Sequence, residues 1–343
     1  MPTISVTDLV KVYKGGIRAV DGVSFEVEAG ELFAFLGPNG AGKSTTIKIL
    51  TTLLKPTSGT AQVLGMDVRA HPAAVRRSIG YAAQDVGIDE NATGRENLTL
   101  YGHFYRLDGV TIRRRVGELL ELMDLTRDAN RLVSTYSGGM RKRLDLAISL
   151  LHQPRVLILD EPTVGLDPQT RGHIGDYIHN LGKELGITVF FTTHYMDEAD
   201  KLADRIAILD HGKIIALGTP LELKKEVSGD VVTLSLTADV ASSSDGALEH
   251  SRELLQRQPF VRELQVLNSG LPITINVYVE KGETDLPRIL RAMDSDGLTV
   301  QTISLSRPTL DDVFIKYTGR TMRDEEGRRT TWFQTDRNRR RLR

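Results

Sequence analysis

The run Gly37-Pro38-Asn39-Gly40-Ala41-Gly42-Lys43-Ser44, followed by Thr45, fits the pattern G-x-x-x-x-G-K-[ST]. Residues of these types at this spacing bind phosphate. Glycines let backbone N–H groups turn inward and approach anionic oxygens closely. A helix opening directly after them presents unpaired N–H groups and the positive end of its dipole. Lys43 adds a full charge that can reach β and γ phosphates, and the Ser44 hydroxyl is an oxygen ligand suited to Mg²⁺. A glycine-rich turn that merely caps a helix is the plainer alternative. The flanks favour the phosphate cradle, because apolar Leu32–Leu36 precedes it and a helical stretch, Ser44–Leu54, follows. Nucleotide binding alone does not choose among kinases, GTPases, motors and transporters.

The second group is acidic. Val156-Leu157-Ile158-Leu159 ends in Asp160-Glu161. A buried strand would deliver Asp160 to the carboxyl edge of a sheet, where ligands bind in open α/β folds. There Asp160 can hold Mg²⁺ through its water shell, and Glu161 can orient a water or take its proton. Two adjacent carboxylates repel unless a cation intervenes. An apolar run followed by two acids could be a solvated strand end; the phosphate cradle upstream gives it its weight.

The elements that must position these groups alternate in type. Strands are expected at Ile4–Tyr13, Val23–Val27, Leu32–Leu36, Ile79–Ala82, Arg155–Leu159, Ile187–Thr192 and Arg205–Leu209, with helical stretches between them. Continuous apolar runs suit central parallel strands covered on both faces. Arg95 to Asp124 breaks the alternation and reads as the heart of an inserted helical subdomain, roughly residues 86–150. The composition shifts near Ser228-Gly229-Asp230. Beyond it the expected order is strand (Val231–Leu236), polar loop (Ala241–Gly246), helix (Ala247–Gln256), strands (Val261–Leu267, Ile273–Val279), helix (Asp285–Ala292) and strand (Leu298–Leu305). That βαββαβ order matches a ferredoxin-like unit. The expected division is therefore a nucleotide-binding domain over 1–227, a small α+β domain over 228–320, and an Arg-rich, disordered tail over 321–343 that contains Trp332-Phe333.

Composition excludes several classes. The 343 residues carry a formal net charge of -1, which argues against a uniform nucleic-acid-binding surface. With no cysteine there are no disulfides, thiolate metal sites or thiol nucleophiles. The start, MPTISVTDLVKVYKGG, lacks the basic and apolar regions of a signal peptide. No window approaches the ~18 apolar residues of a membrane span, so a cytosolic chain is expected.

A third motif gives the resemblance. Thr135-Tyr136-Ser137-Gly138-Gly139-Met140-Arg141-Lys142-Arg143 resembles the signature motif of ATP-binding cassette (ABC) ATPases. With it stand Gln84 at a strand end, Gly165-Leu166-Asp167-Pro168 after the carboxylates, and Thr193-His194 at the end of a later strand. In order these resemble the P-loop, Q-loop, signature, Walker B, D-loop and H-loop of that family, across residues 2–225. The signature departs from the common form at Met140, where Gln is usual, and at Tyr136, where Leu is usual. Pro56-Thr57-Ser58-Gly59, Leu64-Gly65, Ala83-Gln84-Asp85 and the later Arg307-Pro308-Thr309-Leu310-Asp311-Asp312-Val313-Phe314 are similar to the daunorubicin-resistance-type exporter ATPases.

The resemblance implies an α/β P-loop NTPase fold and an ATPase subunit that powers a separate membrane permease from the cytoplasmic face of the membrane. Its substrate would be ATP and its metal Mg²⁺, on Ser44, Asp160 and Gln84. Tyr13 would stack on adenine, and residues Gly37 to Thr45 would hold the phosphates. Glu161, His194, Lys43 and Gln84 would act on the γ-phosphate and the attacking water. Ser137, Gly138 and Gly139 would bind the γ-phosphate of ATP held by a second copy, with Asp167 working across that interface, so the active form would be a homodimer. An importer ATPase or a non-transport ABC ATPase is the alternative.

Overall fold

A computed structural model describes residues 2–84, 87–226, 229–237, 244–270, 272–295 and 299–320. The tail over 321–343, Asp85 of the Ala83-Gln84-Asp85 run, Ser228 at the expected boundary and Ala241 in the expected loop lie outside the described residues.

The chain forms two compact units, one reaching to Pro220 and rejoined at Arg320, the other covering Leu221–Gly319. The first unit opens with β1 (Ile4–Val12), β2 (Arg18–Val27), β3 (Leu32–Leu36), α1 (Lys43–Leu50), β4 (Ser58–Val63), β5 (Met66–Asp67), α2 (Pro72–Ser78) and β6 (Ile79–Ala82). Helices α3 (Gly94–Phe104), α4 (Gly109–Leu122) and α5 (Gly138–Ser149) then precede β7 (Val156–Asp160). The unit closes with α6 (Pro168–Lys183), β8 (Thr188–Thr193), α7 (Met196–Leu202), β9 (Arg205–Asp210) and β10 (Lys213–Gly218).

Two sheets organise it. A six-stranded sheet runs β10-β9-β3-β8-β7-β6. Its inner pairs are parallel and β10 is the antiparallel edge. Every residue of β3, β7 and β8 is buried, as the continuous apolar runs imply for strands covered on both faces. The second sheet, β2-β1-β4-β5, is antiparallel. One apolar core joins both sheets and α1, through Phe25, Phe33, Phe35, Ile47 and Phe190. Within it the Phe25 and Phe35 rings meet edge to face at 4.7 Å, while Phe33 stacks on Phe190 at 5.9 Å.

Three strands escaped the sequence reading. In β4 the residues Ser58-Gly59 look like a turn, yet Gly59 lies in the strand with φ of 79° because a Cβ there would come within 2.2 Å of the Asp8 carbonyl oxygen. Strand β5 has only two residues. Strand β10 pairs with β9 across His211-Gly212, both at positive φ, which is the two-residue hairpin turn that matches strand twist. The helix-rich stretch between β6 and β7 is present as α3 and α4, started by a Thr93–Glu96 capping box and by Asp108.

The second unit comprises α8 (Pro220–Glu226), β11 (Asp230–Thr237), α9 (Ser244–Gln256), β12 (Val261–Asn268), β13 (Ile273–Val279), α10 (Gly282–Ser295), β14 (Thr299–Ser306) and α11 (Leu310–Thr318). From β11 to β14 this is the βαββαβ order read from the sequence. The sheet order is β12-β13-β11-β14, antiparallel throughout. Strand β13 alternates buried and half-buried residues, the period of a sheet with one covered face. Its buried side joins Val232, Leu234, Leu255, Ile289 and Met293 in a separate core.

Candidate functional site: two phosphate-binding corners

The first corner is the turn from β3 into α1. Its tightness requires glycine at two points. A Cβ on Gly37 would stand 2.4 Å from the Leu209 carbonyl oxygen, and one on Gly42, at φ of 108°, 2.5 Å from that of Ala19. Gly42 caps α1 with no side chain, which leaves the helix's first N–H groups for a ligand. Lys43 is 4% exposed and donates to the Gly37 carbonyl oxygen at 2.6 Å and that of Pro38 at 3.3 Å. Pro38, Ala41 and Gly42 are buried, Asn39 and Gly40 are exposed, and Ser44 and Thr45 are half-buried.

The carboxylates arrive from β7 beside it. The Ser44 hydroxyl donates to Asp160 Oδ1 at 3.2 Å, and Thr192 Oγ1 donates to the same oxygen at 2.7 Å. The Glu161 N–H in turn donates to Thr192 Oγ1 at 3.0 Å. Thr192 thus sets both acids and was missed in the sequence, where a threonine near a strand end carries no distinguishing signal. Glu161 adopts φ of 49°, a left-handed conformation that is strained for a residue with a Cβ and turns its side chain off the strand. One carboxylate oxygen meets Lys43 Nζ at 3.2 Å and the other meets His194 Nδ1 at 2.9 Å. Burial pushes the Glu161 carboxyl up, but bonds from His194 and Lys43 outweigh it and hold the group below the ordinary carboxylate range. Glu161 is therefore a buried anion held in position by two nitrogen donors.

Tyr13 lies one residue beyond β1, 39% exposed, with its hydroxyl 3.3 Å from Thr45 Oγ1. It is a half-open aromatic at the rim of the phosphate turn. Gln84 is exposed two residues beyond β6.

The second corner has different support. Ser137 caps α5 and accepts from the Met140 N–H at 3.3 Å. Tyr136, in place of the usual Leu, is 4% exposed and donates to the Asp128 carbonyl oxygen at 2.7 Å, so the aromatic fills packing space and finds a partner. Asp167 caps α6 and accepts from the Thr170 N–H at 3.0 Å and Thr170 Oγ1 at 2.6 Å. A Cβ on Gly139 would come within 2.4 Å of Thr170 Cγ2. Thr170 thus ties the start of α5 to Asp167, a link that the sequence does not show. Ser137 and Gly138 are exposed.

In outline, Gly37 to Thr45, Asp160, Glu161, His194 and Tyr13 form one cluster; Ser137, Gly138, Gly139 and Asp167 form another. Residues 20–164 match the ABC transporter family, and residues 218–318 match the C-terminal domain of DrrA1-3-like ATP-binding proteins. The daunorubicin/doxorubicin resistance ATP-binding protein of Streptomyces peucetius is 42% identical over 92% of each chain. The chain belongs to this family of ABC ATP-binding proteins. The daunorubicin resistance ATP-binding protein DrrA3 of Streptomyces coeruleorubidus is 41% identical over 94% of this chain and 98% of its own. A dimeric ATP-binding cassette solved in a post-hydrolysis state with ADP and Pi is 30% identical, with a TM-score of 0.57 over 63% of this chain and 98% of that one.

The protein is accordingly an ABC-type ATPase with a mixed α/β cassette fold. Members of the family work with a membrane permease. No helix among the described residues is long and apolar enough to cross a membrane.

Proposed function

We propose that this protein powers the export of drugs or other hydrophobic compounds through a separate permease, as a peripheral subunit on the cytoplasmic face of the membrane. The names of its relatives support the cargo class, and the Lys43–Glu161–His194 network beside Ser44 and Asp160 carries the assignment of the chemistry. The proposed domain division is 1–227 for the cassette, 228–320 for an accessory domain of ferredoxin-like type, and 321–343 for the tail; its first boundary lies at the end of α8, beyond the Pro220/Leu221 division of the compact units.

In this reading the turn from Gly37 to Thr45 binds the triphosphate and Tyr13 stacks on the base. Lys43 is then drawn from Glu161 and the Gly37 carbonyl toward the γ-phosphate. Among the described residues no cluster of three or more His, Cys, Asp or Glu could hold a metal. Ser44 Oγ and an Asp160 oxygen are nonetheless hard donors in contact, suited to Mg²⁺ that takes its other ligands from phosphate and water. Bound there, the ion would neutralise charge on the phosphates, with Gln84 as a further ligand.

Glu161, released by Lys43, accepts the proton of a water whose oxygen forms the new bond to γ-phosphorus. The bridging P–O bond breaks and ADP leaves with its electron pair. His194 orients Glu161 and acts on the γ-phosphate and the attacking water. Ser137, Gly138 and Gly139 of a second copy close over the γ-phosphate, with Asp167 at that interface, so the working form is an ATP-bound homodimer.

The test is transport. Co-expression with a multi-span permease should give inside-out vesicles that accumulate an amphiphilic drug such as daunorubicin when ATP is added. ATP-driven movement out of those vesicles would make the protein an importer ATPase and overturn the exporter assignment.

A further inference from the structure

Three consecutive cations follow the second corner on α5, and each reaches a different segment. Arg141 bonds Glu90 and the Ser134 carbonyl oxygen. Arg143 bonds the carbonyl oxygens of Met123 and Asp124. Lys142 turns inward. It is 5% exposed, donates to the Ala83 carbonyl oxygen at 3.0 Å and pairs with Asp145 at 3.5 Å.

We propose that Lys142 is a positioning residue for Gln84, tying the loop after β6 to the helix that opens at Ser137–Gly139. This rests on the assignment of Gln84 to the nucleotide site. The Ala83 carbonyl and the Gln84 N–H belong to one planar peptide unit. Anchoring that oxygen therefore fixes where the Gln84 backbone starts, although its side chain is exposed. Burying a lysine is costly unless it is paired, and an apolar side chain would pack here without that cost. Asp145 supplies the pairing from one turn further along α5. Burial pushes its carboxyl up and Lys142 pulls it partly back, which leaves it raised to about 6. Burial raises the phenols of Tyr81, Tyr101 and Tyr105, and the Asp145 charge adds a smaller push to each.

The consequence is mechanical. Lys142 is five residues beyond Ser137, about 7.5 Å along a rigid helix. When a second copy's nucleotide engages the Ser137 corner, any shift of α5 is passed to the peptide ahead of Gln84. One chain's γ-phosphate thereby influences the Gln84 of the chain that grips it.

The experiment uses the full chain and measures kcat for ATP hydrolysis and Kd for a fluorescent ATP analogue in four variants. Lys142→Met should lower kcat about tenfold, equivalent to ~1.4 kcal/mol, with nucleotide Kd changed less than about twofold. Lys142→Arg should restore most of the rate, since it keeps a donor in reach. Gln84→Ala should lower kcat by itself, and Lys142→Met added to it should cost less than a further twofold. Multiplied losses in the double variant, or unchanged kcat in Lys142→Met, would overturn the proposal. If Gln84→Ala alone keeps full activity, the Gln84 assignment fails, which is a separate result. Should Lys142→Met fold poorly, Lys142→Met with Asp145→Leu replaces the pair by apolar volume and is read by the same outcomes.

Discussion

The two phosphate-binding corners open helices in the same way and differ in what stands around them. The first, at Gly37 to Thr45, is walled by buried Lys43, Asp160 and Glu161 and backed by the carbonyls of Leu209 and Ala19. The second, at Ser137–Gly139, has its serine and first glycine exposed and is supported from behind by Thr170 and Asp167. In the proposed reading the first corner grips its nucleotide within a single chain. The other is shaped but open, and needs a ligand presented from outside. On that reading, one closed and one open grip on the same kind of anion would let two copies share each nucleotide.

The comparison can be broken at four places, from the largest effect to the smallest. Glu161→Gln removes the proton acceptor from the closed corner, and kcat should fall about 10²–10⁴-fold while ATP binding survives and the closed dimer accumulates. Rapid phosphate release by that variant would remove Glu161 from the base role. Lys43→Ala takes away the buried charge, and nucleotide affinity should drop on the order of 10²-fold, equivalent to the ~1.5–3 kcal/mol of a charge-assisted hydrogen bond. Normal affinity in a titration would mean that the closed corner does not grip through its lysine.

Tyr13→Ala should weaken binding by about 1–3 kcal/mol for ATP, and less for a bare triphosphate that has no base to stack. Equal losses for both would place Tyr13 outside the base site. Ser137→Ala should cost about 1 kcal/mol of stability through the lost cap and weaken ATP-driven dimerisation, with the Kd of the monomer unchanged. A shifted monomer affinity would show that the open corner already touches nucleotide within one chain, and the distinction between the corners would go.

How much was legible differs between the regions. Strands β3, β7 and β8 announced themselves because a strand buried on both faces needs an unbroken apolar run. Strand β4 did not, because Gly59 is there for a close approach of the Asp8 backbone and reads as a turn when that backbone is not in view. In the second unit the order of elements was readable from period and breakers, while helix starts were set late: α9 begins at Ser244 and α10 at Gly282, each three residues ahead of expectation. Polar first-turn residues favour caps and loops in a sequence window, and only packing against the sheet recruits them.

The sequence by itself determined the two glycine-bearing helix starts, the paired acids and the order of their elements, because each depends on local requirements: glycine for tight backbone, a hydroxyl or a charge at a fixed spacing, apolar runs for buried strands. The tertiary structure alone decided that Thr192 sets both acids, that Thr170 braces the second corner, and that Lys142 reaches back 59 residues to the peptide before Gln84. These are ordinary residues in ordinary stretches. The contacts that matter (Asp160 for Thr192, Gly139 for Thr170, Ala83 for Lys142) lie on elements far away in the chain, and a contact between distant segments leaves no period in either of them.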